Sequence, residues 1–233
     1  MVQNPAHGPE VCLGGTNAVY PPSCGTIPIT NWNWGNASDK HSVKETTWGD
    51  YHLIGSYDGS QLTLTQAPSP PRRTGDAPET EITTPCPAPD GGWKPPSPPI
   101  SQEEAGHLQA AIADDPDFAG DWIDPMNAPN GERFFVFNAA FTDDLEAHRS
   151  ELEREWNGPL CVSQADRTLS ELKSIQRQLP DVPGIRVLDS DIDVVAGQVL
   201  CDVVVLDPER QAMLDTRFGK GAVRATPALT PVG

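Results

Sequence analysis

Residues 185–226, IRVLDSDIDVVAGQVLCDVVVLDPERQAMLDTRFGKGAVRAT, decide the fold class. Two runs rich in β-branched residues, 185–195 and 198–206, are separated only by Ala196-Gly197 and read as a hairpin. Asp207-Pro208 then starts a helix, with the carboxylate as cap and proline at the first position, where its missing N–H is no loss; Gly219 ends it. A last strand follows at 222–226. This β-β-α-β order is typical of a ferredoxin-like sandwich, and Val203 and Val205 mark a buried central strand.

The rest of residues 101–233 extends the alternation. Ser101…Glu104 and Thr168…Glu171 are capping boxes, in which a hydroxyl and a carboxylate satisfy free backbone donors at a helix start. Leu169, Leu172, Ile175 and Leu179 then line one helical face. Thr142 or Asp143 is expected to cap a further helix carrying Leu145, Leu152 and Trp156, and 133–141 and 159–163 read as strands. The order α, β, α, β, α, β, β, α, β predicts an acidic α/β sandwich domain over 101–233. Of the formal net charge of −17, this part carries −13, from 24 acidic and 11 basic residues. Such a charge repels a phosphate backbone and excludes nucleic acid as a partner.

Residues 67–100 hold eleven of the 25 prolines and favour extended polyproline conformation, so they read as a connector. Cys86 and Trp93 do not suit a freely solvated linker. The expectation is that 82–93 docks on the first domain and that 94–100 forms the true spacer. Residues 1–66 contain all three tyrosines and no phenylalanine. Around Asp58-Gly59, suited to a type I′ turn, the run 49–66 reads as a hairpin. Together these predict a small antiparallel, barrel-like β domain, and an α+β protein as a whole.

Cys12 and Cys24 flank a turn-prone stretch and read as a local disulfide or as buried thiols in preference to a metal site. Cys161 and Cys201 fall on strands; they are a cross-strand disulfide if those strands are neighbours, and otherwise small core residues. Cys86 is left over. Trp32, Trp34 and Trp48 form a candidate binding surface for a sugar or peptide, although a β unit short of aliphatics also uses aromatics as its core. The carboxylates Asp114, Asp115, Asp117, Asp121 and Asp124 read as a solvated acidic loop without EF-hand spacing. Asp189, Asp191 and Asp193 read as an exposed strand face, and His148 as a histidine at the edge of the core. No catalytic, cofactor or metal motif is assigned.

The blocks CLG (12–14), YPPSCG (20–25), TWGDYHLIGSYDG (47–59), CPAPDGGW (86–93), GPLCV (158–162), RTLSELKSIQ (167–176) and RFGKGAVRATPAL (217–229) carry a resemblance. Across most of the chain they resemble a group of uncharacterised exported or membrane-anchored proteins of actinobacteria. That likeness implies an extracellular or envelope location and brings no activity with it. The closing β-β-α-β is also similar, weakly, to pro-regions of bacterial serine proteases, which bind their protease through a sheet. The N-terminus lacks the basic and apolar regions of an export signal, which taken literally predicts the cytoplasm; the cysteines argue for an oxidising compartment. No run of apolar residues is long enough for a membrane span. The resulting expectation is a non-enzymatic envelope or secreted protein that binds a protein, peptide or wall polymer. A hydrolase with a site assembled from scattered residues, or a passive spacer, are the alternatives.

Overall fold

The computed structural model describes residues 1–4, 8–17, 19–72 and 82–232. The N-terminal unit is built from short strands: β1 (Val2–Asn4), β2 (Glu10–Asn17), β3 (Ser23–Pro28), β4 (His41–Val43) and β5 (Thr46–Gly49). They form one antiparallel sheet in the order β3-β2-β1-β5-β4, with Val2 opposite Val11 on one side and Gly49 on the other. The sheet is open among the described residues, so no barrel closes. A hairpin, β6 (Gly55–Tyr57) and β7 (Leu62–Leu64), follows. Its turn differs from the expected two-residue type I′. Tyr57 pairs with Leu62 across a loop in which Asp58 Oδ1 accepts from Ser60 N (2.8 Å) and Gln61 N (2.9 Å). Those bonds, with the Ser60 hydroxyl, hold the Asp58 carboxyl down to about 2.

The remainder runs through the same five-element order twice. The first pass is α1 (Gln102–Ile112), β8 (Phe118–Asn127), β9 (Arg133–Phe141), α2 (Leu145–Glu155) and β10 (Leu160–Gln164). The second is α3 (Leu169–Gln178), β11 (Val187–Asp193), β12 (Gln198–Val205), α4 (Pro208–Phe218) and β13 (Val223–Leu229). In each, the first two strands pair antiparallel and the third lies parallel to the second, giving sheets β10-β9-β8 and β11-β12-β13. α1 and α3 both begin with complete capping boxes, as their sequences require. The architecture is mixed α+β. It differs from the expected ordering by one strand, because β8 read as an acidic loop, and each sheet has three strands where a ferredoxin-like unit has four. The cap of α2 also differs. Asp144, with φ 47°, occupies that position, while the Thr142 hydroxyl turns away to Asp117.

Strand alternation gives each sheet two faces. Phe135, Phe137, Ala139 and Phe141 of β9 pack under α1 and α2 with Leu108, Leu152, Trp156 and Val162. Val199, Cys201 and Val203 of β12 pack under α3 and α4 with Leu172, Ile175, Leu179 and Leu214. The opposite faces need other covers. Val204 of the second sheet, with Val205, Leu188 and Leu229 beside it, shares a core with Val2, Val11, Ile27, Ile29 and Leu62 of the N-terminal unit. The first sheet is covered by the proline-rich segment. Thr84 donates from its N–H and its hydroxyl to Asp124 Oδ2, both at 2.8 Å, and the Trp122 indole donates to Thr83 O at 3.2 Å. Cys86 is bonded to Cys161.

The segment is therefore a strap whose two described parts dock in different places. Ser69 bridges to His52 in the N-terminal unit, while 83–86 lies on the C-terminal one, contrary to the expectation for 82–93. The two passes meet where the β11–β12 turn crosses β8. A Cβ on Gly120 (φ 150°) would lie 2.6 Å from Val194 Cβ, so only glycine permits this approach.

Candidate functional site

A concavity lined by apolar and aromatic side chains forms where the end of the strap meets the end of α2. Trp156 closes α2, its N–H bonded to Leu152 O. Its ring lies 5.4 Å from Phe137 and 6.0 Å from Phe135, and its indole N–H donates to Pro159 O at 3.2 Å. Gly158 makes room for the strap: a Cβ there would stand 2.4 Å from Ile100 Cδ1. Ile100 thus packs against the core under α1, and Pro95, Pro96 and Pro99 border a surface there, where a free spacer was expected over 94–100. Between these prolines and the start of β9 opens a shallow depression lined by Pro95, Pro96, Pro99, Phe134, Phe135 and Trp156, with the exposed Glu132 and Arg133 also bordering it.

Ile100 and Trp156 also line a second, open depression, bounded by Glu104, His107, Leu108, Glu155 and Asn157. The Glu104 carboxylate accepts from Ser101 N and Oγ at 2.8 Å each, which holds it below the usual carboxylate range. The sequence signals were the paired Phe134-Phe135 at a strand start and a proline run ending in isoleucine. Neither names its partner across the groove.

The three candidate tryptophans fall into two groups. Trp32 and Trp34 pack edge-to-face with ring centroids 5.1 Å apart, and Tyr51 lies 5.2 Å from Trp32. All three border the N-terminal core. Tyr51 donates to Ser38 O at 2.7 Å; burial first, then the charges of Asp39 and Asp50, raise its phenol. Trp48 is buried, with His41 stacked on it and Tyr20 at its edge.

Asp115, Asp117 and His148 each offer one donor atom within 4.8 Å of the others. Two carboxylates and an imidazole suit a divalent cation in type. Their present contacts form a latch between the α1–β8 loop and α2: His148 Nδ1 stands 3.6 Å from Asp115 Oδ2, and Asp117 Oδ1 stands 3.4 Å from the Thr142 hydroxyl. The imidazole lies flat on Phe141, centroids 3.9 Å apart, with its Nε2 buried. Asp114 is exposed, and so are Asp189 and Asp191.

Asp121 and Asp124, expected in a solvated loop, lie instead on β8, and Asp124 is buried under the strap. Burial raises the Asp121 carboxyl, opposed by a hydrogen bond from Gln109. The folded chain thus holds this proton more tightly than the unfolded chain, and stability falls as pH rises through the carboxylate range. Asp121→Asn keeps an acceptor for Gln109 and removes the charge. Its urea midpoint at pH 7 should exceed that of the parent, with the gain vanishing at pH 3. An equal gain at both pH values would refute the burial account.

Cys201 is the small buried core residue that its strand position allowed, whereas Cys86, expected to be left over, is paired. Cys161 is bonded to Cys86, with Cα atoms 5.7 Å apart, and Cys201 is a buried free thiol. Cys161 and Cys201 cannot be neighbours, because β10 and β12 belong to different sheets. Cys12 is disulfide-bonded. The side chain of Cys24 lies outside the described residues; its backbone stands opposite Thr16. Compared with known proteins, the chain matches no family model and no curated relative.

Proposed function

We propose that this is a non-enzymatic binding protein of the cell envelope or extracellular space, whose partner is a protein, peptide or wall polymer held at the surface around Ile100 and Trp156. The observation that carries this reading is the apolar depression itself. Phe134, Phe135, Trp156 and three prolines converge on a concave surface walled by a covalently fastened strap. Rigid aromatic and proline walls lose little entropy on binding. The disulfides fit an oxidising compartment. Among the described residues no helix is long and apolar enough to cross a membrane. The likeness to protease pro-regions, themselves binding modules, points the same way.

Hydrolysis is the second reading, and the Asp115–Asp117–His148 group speaks for it. The enclosed imidazole Nε2, turned into protein, speaks against it. Phe134 belongs to no buried core cluster, so Phe134→Ala is a clean probe of the depression. Titration against an arrayed random-peptide library and against isolated wall polymer should give saturable binding to one class. Phe134→Ala should weaken it by about tenfold or more, as for loss of an aromatic anchor, with unfolding unchanged. Binding indifferent to Phe134→Ala, or none to either class, would overturn the reading.

A further inference from the structure

We infer that the occupant of the twin depressions is an extended basic peptide segment, with an apolar side chain in the Phe134 recess and a Lys or Arg beside Glu104 and Glu155. This inference rests on the binding reading above and adds the chemistry of the partner. The two recesses share Ile100 and Trp156 and differ in kind: one is walled by proline and aromatic rings, the other bounded by two carboxylates. Among the described residues neither Glu104 nor Glu155 forms an ion pair, so both charges are available to a ligand. Glu104 is also fixed in place, because its carboxylate closes the capping box of α1. A pre-positioned charge loses little on meeting a cation. The net charge of −17 favours approach of a cationic segment and repels an anionic one.

Spacing adds a sequence rule. Residues i and i+2 of an extended peptide point the same way, roughly 6.5 Å apart. An extended segment laid across the shared Ile100 and Trp156 would offer same-side residues to the two recesses, an apolar residue and a Lys or Arg two positions apart, in either order. At the rim of the apolar recess Glu132 and Arg133 offer charges of both signs and bias the choice little.

The test uses the full chain and an arrayed random-heptapeptide library at low salt. Peptides carrying the apolar-x-Lys/Arg or Lys/Arg-x-apolar pattern should be enriched. A Glu104→Gln, Glu155→Gln variant should bind them about tenfold more weakly while unfolding in one cooperative transition at a slightly lower midpoint, because Gln at position 104 keeps the capping box but gives up the charge that the folded chain favours there. Raising salt should weaken the parent and leave the variant little changed. Enrichment of apolar peptides that Phe134→Ala abolishes and the double Gln variant leaves intact would overturn this inference while keeping the binding reading. Binding of wall polymer alone would do the same. Loss of all binding from both classes of probe would remove the reading beneath it.

Discussion

A variant carrying Cys86→Ala and Cys161→Ala should lose about 4 kcal/mol of unfolding free energy, the loop-closure value for a cross-link of this span. The bridge joins residues separated by 75 positions, and its removal frees the unfolded chain across that whole loop. In the folded chain the strap would then be held near 83–84 by the Thr84 bonds to Asp124 and the Thr83 bond from Trp122. Hydrogen bonds of this kind contribute only about 1 kcal/mol each net, too little to replace the bridge. Cys161 is fully buried, so alanine leaves a small void without adding an unsatisfied polar group. Urea unfolding of parent and variant, with and without a dithiol reductant, measures the effect. In reductant the parent and the variant should unfold at the same midpoint, because the Cys12 bridge is lost from both and only the Cys86–Cys161 bridge distinguishes them without it. In the folded chain Cys201 is no route for exchange: burial, with Asp202 and Asp189 adding to it, pushes its thiol up to about 11, so it is not a thiolate near neutral pH. Unfolding exposes it, so the unreduced samples are unfolded at mildly acidic pH, where thiols stay protonated. A loss below about 1 kcal/mol would show that the strap is fixed without its cross-link.

What could be read from the sequence was local. The capping boxes at Ser101 and Thr168, the Asp207-Pro208 start of α4 and the apolar parity of β12 depend on residues a few positions apart, and the structure has them as read. The hairpin turn at 58–61 and the cap of α2 differ for local reasons, but the larger differences turn on distant partners. In the sequence β8 reads as a loop because Asp121 and Asp124 break its apolar pattern. Those carboxylates are satisfied by Gln109 on α1 and by Thr84 of the strap, which pattern alone does not show. Cys161 sits beside core-facing Val162 and so must point to the other face of its sheet. Which segment covers that face is a question of topology. The candidate site was the least legible part, since it forms only when Ile100, Trp156 and Phe134 arrive from a strap, a helix end and a strand start.

Val204→Asp should destabilise the protein by about 3–5 kcal/mol, the cost of an uncompensated buried charge. The substitution tests whether the two units fold as one. The change of composition at the proline-rich segment suggests separate domains, yet Val204 of β12 is 1% exposed and lies in the same core as Val2, Val11 and Ile27. Val205, Leu188 and Leu229 border that core from the C-terminal side, and a Cβ on Gly14 of β2 would come within 3.4 Å of Leu188 Cβ. The N-terminal strands β1, β4, β6 and β7 have only three residues each, and sheets of such short strands need a packing partner. The outer face of β11–β12–β13 supplies it. Hydrogen exchange should therefore show loss of protection in β1, β2 and β12 together, while β9, whose core lies under α1 and α2, keeps more of its own. Exchange that rises only in β12, with the N-terminal sheet unchanged, would mean that the sheet is stable alone. The shared core would then be a contact between independent domains, and the strap would be what sets their arrangement.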